Sequence, residues 1–154
     1  MSDSAPARSP VRPRAPVREG LLMGSLDDLA GLRLAGSRCS TCGETSFGVK
    51  DVCPNCGQAT LKSMALSAHG VLWSFTVVRH RPPGDYRGPD PFAPFGLGLV
   101  ELPDGVRVLS PIECRLEELR IGMELRFRPY LRHDQERDIV VFAFEPIAPG
   151  AGHG

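Results

Sequence analysis

A surplus of positive charge is absent from this 154-residue sequence, in which 18 Asp and Glu offset 18 Lys and Arg. Neither part of the chain hides one: there are 8 basic and 6 acidic residues up to Lys62, and 10 and 12 from Ser63 onward. That balance argues against a duplex-binding domain, which needs a strong positive field. No apolar run approaches the roughly 18 residues that a membrane-spanning helix requires. The opening stretch MSDSAPARSPVRPRAP has no apolar core of a secretory signal. Its Arg8, Arg12, Arg14 and Arg18 mimic an organelle-targeting peptide, but Pro6, Pro10, Pro13 and Pro16 break the amphipathic helix such peptides form. The expectation is a soluble, cytoplasmic protein with no membrane contact.

A catalytic set is missing as well. His69, His80, His133 and His153 stand in no metal-binding or nucleophile motif. Cys114 is the one cysteine of five outside a pair. With an apolar strand before it and no histidine placed beside it by any motif, it reads as a buried thiol rather than a nucleophile. Glu117 and Glu118 lie on a helical piece and read as a wet face. No catalytic residue of the chain's own is expected.

What is present is ordinary in bulk, with 42% apolar and 23% charged residues, but it includes 15 prolines and 17 glycines. Much of the excess over average sits in the tails and in one loop. Residues 1–22 read as a disordered tail and 148–154 as a disordered end. In SLDDLAGLRLAG, Ser25 is a cap candidate, Asp27 and Asp28 suit a first turn, and Leu26, Leu29, Leu32 and Leu34 mark one face, which predicts a short helix over 23–36.

From Leu61 the hydrophobic period becomes two. HGVLWSFTVVR (69–79), FGLGLVEL (95–102), VRVLS (106–110), MELRFRPY (123–130) and DIVVFAF (138–144) read as five strands. Pro103-Asp104-Gly105 turns the second into the third. CRLEELRIG, with Gly122 as a C-cap candidate, supplies a short helix between the third and fourth. This is the element order of a five-stranded OB barrel, placed at 63–147. DIVVFAF is apolar on both faces and therefore central or covered. Between the first two strands, RHRPPGDYRGPDPFAPF (79–95) is long enough for a compact barrel to mark function or disorder.

Four of the five cysteines stand in CSTCGETSFGVKDVCPNC, as C-x-x-C, ten residues, C-x-x-C, with Gly43 and Gly57 after the pairs. A two-residue gap lets both sulfurs of a pair face one ion, and the glycine permits the tight turn behind them. Cys39, Cys42, Cys53 and Cys56 are thus expected to hold one structural Zn²⁺, closed to water and substrate, in a ribbon over 37–62. Iron in place of zinc is chemically compatible with the same four thiolates. Disulfides do not suit an intracellular chain, and a redox C-x-x-C belongs at a helix start after a strand.

Ribbon, SFTVV strand, Pro-rich loop, LVELPDGVR hairpin and RIGM turn, in that order over about residues 24–147, resemble the zinc-ribbon/OB-fold acyl-CoA-associated family, whose ribbon is rubredoxin-like. The fold class implied is mainly β. The resemblance implies a non-catalytic accessory subunit that binds a thiolase-like protein in a hetero-oligomer and helps it hold an acyl-CoA, in thiolase or aldolase chemistry. If CoA is the ligand, its phosphates need cations: Arg79, Arg81 and Arg87 flank the long loop, and Lys50 lies between the knuckles. Phe92 and Phe95 on the proline-stiffened loop are interface candidates. The competing reading is a single-stranded nucleic-acid module, with Arg126, Arg128 and Tyr130 as its platform.

Overall fold

The computed structural model describes residues 12–147. Its strands are β1 (Arg14–Pro16), β2 (Leu22–Met23), β3 (Arg33–Cys39), β4 (Thr45–Phe47), β5 (Leu61–Ala65), β6 (His69–Val78), β7 (Phe95–Glu101), β8 (Arg107–Ile112), β9 (Glu124–His133) and β10 (Asp138–Pro146). The five long strands read from sequence alternation are β6 to β10, and they close into the barrel. β6 pairs with β7 and β7 with β8, both antiparallel. β10 pairs antiparallel with β9, and β9 returns to β6. β2 to β5 form the ribbon sheet around β3.

The barrel's weakest seam lies between β8 and β10, which share a single parallel register pair, Phe144 with Ile112. Farther back along β10, the free edge at Asp138–Val140 is taken by β1 in parallel register. Residues 12–22, assigned to the tail on composition, are thus partly structural: Arg14–Pro16 extends the barrel sheet and Leu22 joins the ribbon. A proline is tolerated in β1 because an edge strand needs to donate on one side only. Residues 1–11 and 148–154, the rest of the expected disorder, lie outside the described residues.

The short N-terminal helix expected over 23–36 is not formed. Asp28 Oδ1 accepts a hydrogen bond from the Gly31 amide at 3.3 Å, which closes a single 3-10 turn, Leu29–Gly31. Short carboxylate side chains that bond the backbone locally favour such turns over helix propagation. Beyond it Leu32 and Leu34 are fully buried with a spacing of two, the period of a strand, and β3 finds partners in β2, β4 and β5. The second helical piece is likewise one 3-10 turn, Leu116–Glu118.

Ribbon and barrel share one core. Leu32, Leu34 and Leu66 pack in the same cluster as Leu72, Val100, Leu125 and Phe144. β10 is buried along nearly its whole length, as its two-faced apolar pattern requires.

One end of the barrel is pinned by charge. Asp138, nearly buried, meets Arg12 Nε at 3.1 Å and His133 Nδ1 at 2.7 Å. The His133 hydrogen bond, then the charges of His133, Arg12 and Arg14, hold the Asp138 carboxyl below its ordinary value despite its burial. A carboxylate with a depressed folded pKa contributes stability that is complete above the unfolded value and lost as pH falls through the folded one. Asp138→Asn is therefore expected to flatten the loss of thermal stability between about pH 5 and pH 2. Melting curves of both proteins across that range check it, and parallel acid limbs would contradict it.

Candidate metal centre and the clefts beside it

Two near-identical knuckles build the metal site. In the first, the Gly43 amide donates to the Cys39 carbonyl and the Cys39 amide to that of Glu44, each at 2.9 Å. In the second, Gly57 donates to Cys53 and Cys53 to Gln58, again at 2.9 Å. Gly43 and Gly57 both have φ +79°, a conformation that side-chain-bearing residues avoid. The glycines read from sequence are thus required by the turn.

The four sulfurs lie within 4.8 Å of one another, with Cys39 to Cys56 and Cys42 to Cys53 both at 3.6 Å. A tetrahedral zinc with Zn–S bonds of about 2.3 Å sets its sulfurs roughly 3.8 Å apart, so the donor set fits that ion. The surrounding groups prepare thiolates. The Thr60 hydroxyl, 3.4 Å away, and then the Cys42 amide bring Cys39 down to about 6. Cys42 is lowered by the Glu44 amide and by Asn55. Cys56 is drawn down by the Gln58 amide, yet desolvation and the three neighbouring thiols outweigh it and push it up to about 12. Four sulfurs this close cannot all ionise unless a cation neutralises them. The site is a structural zinc centre, with four protein ligands and no place for a reacting water.

The other candidates fall into separate places. Lys50 lines a cleft of about 880 Å³ between the ribbon strand β4 and the β7–β8 hairpin, together with Arg107, a residue that sequence reading passed over. Arg107 pairs with Glu101 at 2.9 Å and its guanidinium lies 3.8 Å from the centre of the Trp73 ring. Arg79 follows the far end of β6, and Arg81 and Arg87 lie on the loop beyond it. Lys50 and Arg87 line different clefts. Arg87 is engaged by Asp85 at 2.9 Å and Asp134 at 4.0 Å, and Arg81 lies over Tyr86.

Phe92 and Phe95 are half-buried and pack with Tyr86 in a trio of rings with centroids 5.7 to 6.4 Å apart. The long loop therefore has a core of its own. It arches over a second cleft, about 670 Å³, lined among others by Arg87, Phe95, Cys114, Tyr130 and Arg132. Cys114 sits half-buried at this cleft against the barrel core. Desolvation first, then Glu118 and Glu113, push its thiol up, which keeps it protonated and a poor nucleophile.

The proposed nucleic-acid platform is neutralised from within. Arg126 pairs with Glu145 at 2.8 Å, and Arg128 with Glu145 at 3.6 Å and Glu113 at 3.7 Å. Phosphates would have to compete with these carboxylates.

A four-thiolate ribbon joined through a shared core to a five-stranded barrel defines the class of zinc-ribbon/OB-fold proteins. Residues 27–61 match the family described as "ChsH2, rubredoxin-like zinc ribbon domain", and residues 64–128 match "ChsH2, C-terminal OB-fold domain". A "DUF35 domain-containing scaffold protein" of Methanocaldococcus jannaschii is 31% identical over 120 residues, 74% of this chain and 82% of the relative. The chain belongs to this DUF35 family. "Benzoylsuccinyl-CoA thiolase subunit BbsA" of Geobacter metallireducens is 28% identical over 118 residues, 75% of each chain. A solved structure, "Ltp2-ChsH2(DUF35) aldolase", has the same fold with a TM-score of 0.58 at 24% identity, over 74% of this chain and 84% of that one. Among the described residues no helix is long and apolar enough to cross a membrane.

Proposed function

We propose that the chain is the accessory subunit of a thiolase-type acyl-CoA enzyme, a rigid zinc-clasped module that docks on the catalytic subunit and helps it hold the thioester in CoA cleavage or condensation. The observation that carries this reading is the kinship with a thiolase subunit across three quarters of both chains. The neutral composition suits a protein partner better than a polyanion. The partner supplies the reacting groups. The complex is a cytoplasmic hetero-oligomer, with acyl-CoA at or near the shared surface. Co-expression with a thiolase- or aldolase-type catalytic subunit, followed by size exclusion, tests the reading; separate elution of the two chains would sink it.

Within that reading Lys50 is the cation best placed for a CoA phosphate. It lines an open cleft and, among the described residues, takes part in no ion pair. Lys50→Glu in the reconstituted complex is expected to raise KM for the acyl-CoA roughly tenfold with kcat little changed, the effect of losing one charge-assisted phosphate contact. Steady-state kinetics check it, and an unchanged KM would remove Lys50 from the site.

A further inference from the structure

Strand β7 runs Phe95-Gly96-Leu97-Gly98-Leu99-Val100-Glu101, and its register is the reverse of what hydrophobicity alone favours. Gly96, Gly98 and Val100 face the barrel interior, while Leu97 and Leu99 face outward. The interior leaves no choice: a Cβ on Gly98 would lie 2.5 Å from Leu72 Cδ1, and one on Gly96 would lie 2.8 Å from Leu119 Cδ1. Large neighbours fill the core across the glycines, and the leucines are sent outside.

The flanking strands do the same. Opposite Leu99 stands Leu109, 60% exposed, and opposite Leu97 stands Pro111. On β6 the pairing shifts by one residue between Leu72 and Ser74, and the extra residue is Trp73, 46% exposed beside exposed Val71. Bulges of this kind re-aim a side chain, and here the largest ring of the chain is aimed away from the core. The outer wall of β6–β7–β8 thus carries an apolar patch of Val71, Trp73, Leu97, Leu99 and Leu109, broken on β6 by Ser74 and Thr76 and edged by Arg107 over Trp73, where an antiparallel barrel ordinarily shows polar residues.

Two observations bear on what covers it. The outward row Leu99, Leu97, Phe95 runs without a break into the ring trio of the loop, so wall and loop form one surface. At that end exposed Arg79 and Arg81 are in no ion pair among the described residues and are free to meet carboxylates on a covering surface. The chain's own end, APGAGHG, is too poor in large apolar side chains to serve.

We infer that the outer wall of β6–β7–β8, centred on Trp73, Leu99 and Leu109, is the face that docks on the catalytic subunit, and that the subunit meets it with an apolar patch edged by carboxylates near Arg79 and Arg81. The inference rests on the accessory-subunit reading and assigns its surface. Because Leu109 is exposed, Leu109→Glu is expected to keep its zinc content and melting temperature. It is also expected to weaken binding to the co-expressed catalytic subunit by roughly 30-fold or more, the effect of a central interface residue. Arg79→Glu/Arg81→Glu is expected to weaken it less and to reduce the salt dependence of association. Val17→Glu, on exposed Val17 next to β1 and away from the wall, is expected to bind as the unaltered protein does.

Titration calorimetry of the purified chains reads these affinities. If the unaltered chain binds no such enzyme, the accessory-subunit reading fails and takes this inference with it. If it binds and Leu109→Glu binds as tightly, only the inference fails. Sedimentation of the chain alone as a dimer that Leu109→Glu dissociates would assign the wall to a second copy and overturn the choice of partner.

Discussion

Cys53→Ser is expected to empty the metal site and unfold the ribbon, with bound zinc falling from about one per chain to near none. Cys53 is buried at the knuckle, where its sulfur lies 3.6 Å from that of Cys42 and its backbone makes both hydrogen bonds of the turn. A serine hydroxyl does not ionise at neutral pH, so the ion would lose one of four anionic ligands. Small zinc modules draw on the order of 10 kcal/mol of folding energy from their metal, and the ribbon hairpin offers few apolar contacts to replace it. The damage spreads, because Leu32 and Leu34 at the base of the ribbon are part of the barrel core. Elemental analysis and limited proteolysis over 37–62 provide the check. A variant with stoichiometric zinc and unaltered protease resistance would show that the four-thiolate assignment is wrong.

Phe144→Ala is expected to cost about 3–5 kcal/mol, the range for a fully buried phenylalanine. Its position places the loss where the barrel can least absorb it. Phe144 pairs with Phe127 on β9 and with Ile112 on β8, the single register pair that joins β8 to β10. Its ring meets that of Phe127 edge to face with centroids 5.8 Å apart. Against a stability of about 5–15 kcal/mol for a domain of this kind, the melting temperature is expected to fall by about 6–20 °C. Phe144→Leu, which keeps most of the volume, is expected to lose less than half as much. Equal melting of alanine and leucine variants would mean that the seam is held by backbone pairing rather than by this side chain.

The parts of the molecule legible in the sequence are those where one local signal suffices. Two C-x-x-C pairs with glycine after each specify knuckles, because sulfur geometry and a left-handed turn leave few other solutions. MELRFRPY announces β9 through its alternation, and DIVVFAF announces β10 as a short run apolar on both faces. The misread segments are those where distant partners decide. SLDDLAGLRLAG has helical spacing at its start, yet Leu34 pairs with Leu22 and bonds the distant Leu66, and Leu32 and Leu34 pack into the barrel core. RAP carries no period at all and is a strand only because β10 offers it an edge. In FGLGLVE the strand was legible but its facing was not: Leu72, Ile112 and Leu119, all outside the segment, occupy the space inside and turn its leucines out. Arg107 was missed for the same reason, since only the fold brings a hairpin arginine beside the ribbon and over Trp73.

The pairing of Arg14–Pro16 with Asp138–Val140 joins residues 124 positions apart. On a ribosome that synthesises the chain from its N-terminus, the earliest strand must wait for the latest before either has its mate. The metal knuckles, whose backbone hydrogen bonds are local, are free to form while the barrel is still being made. Closure of the barrel waits until β10 has been made, and a nascent chain arrested before β10 would keep β1 exposed.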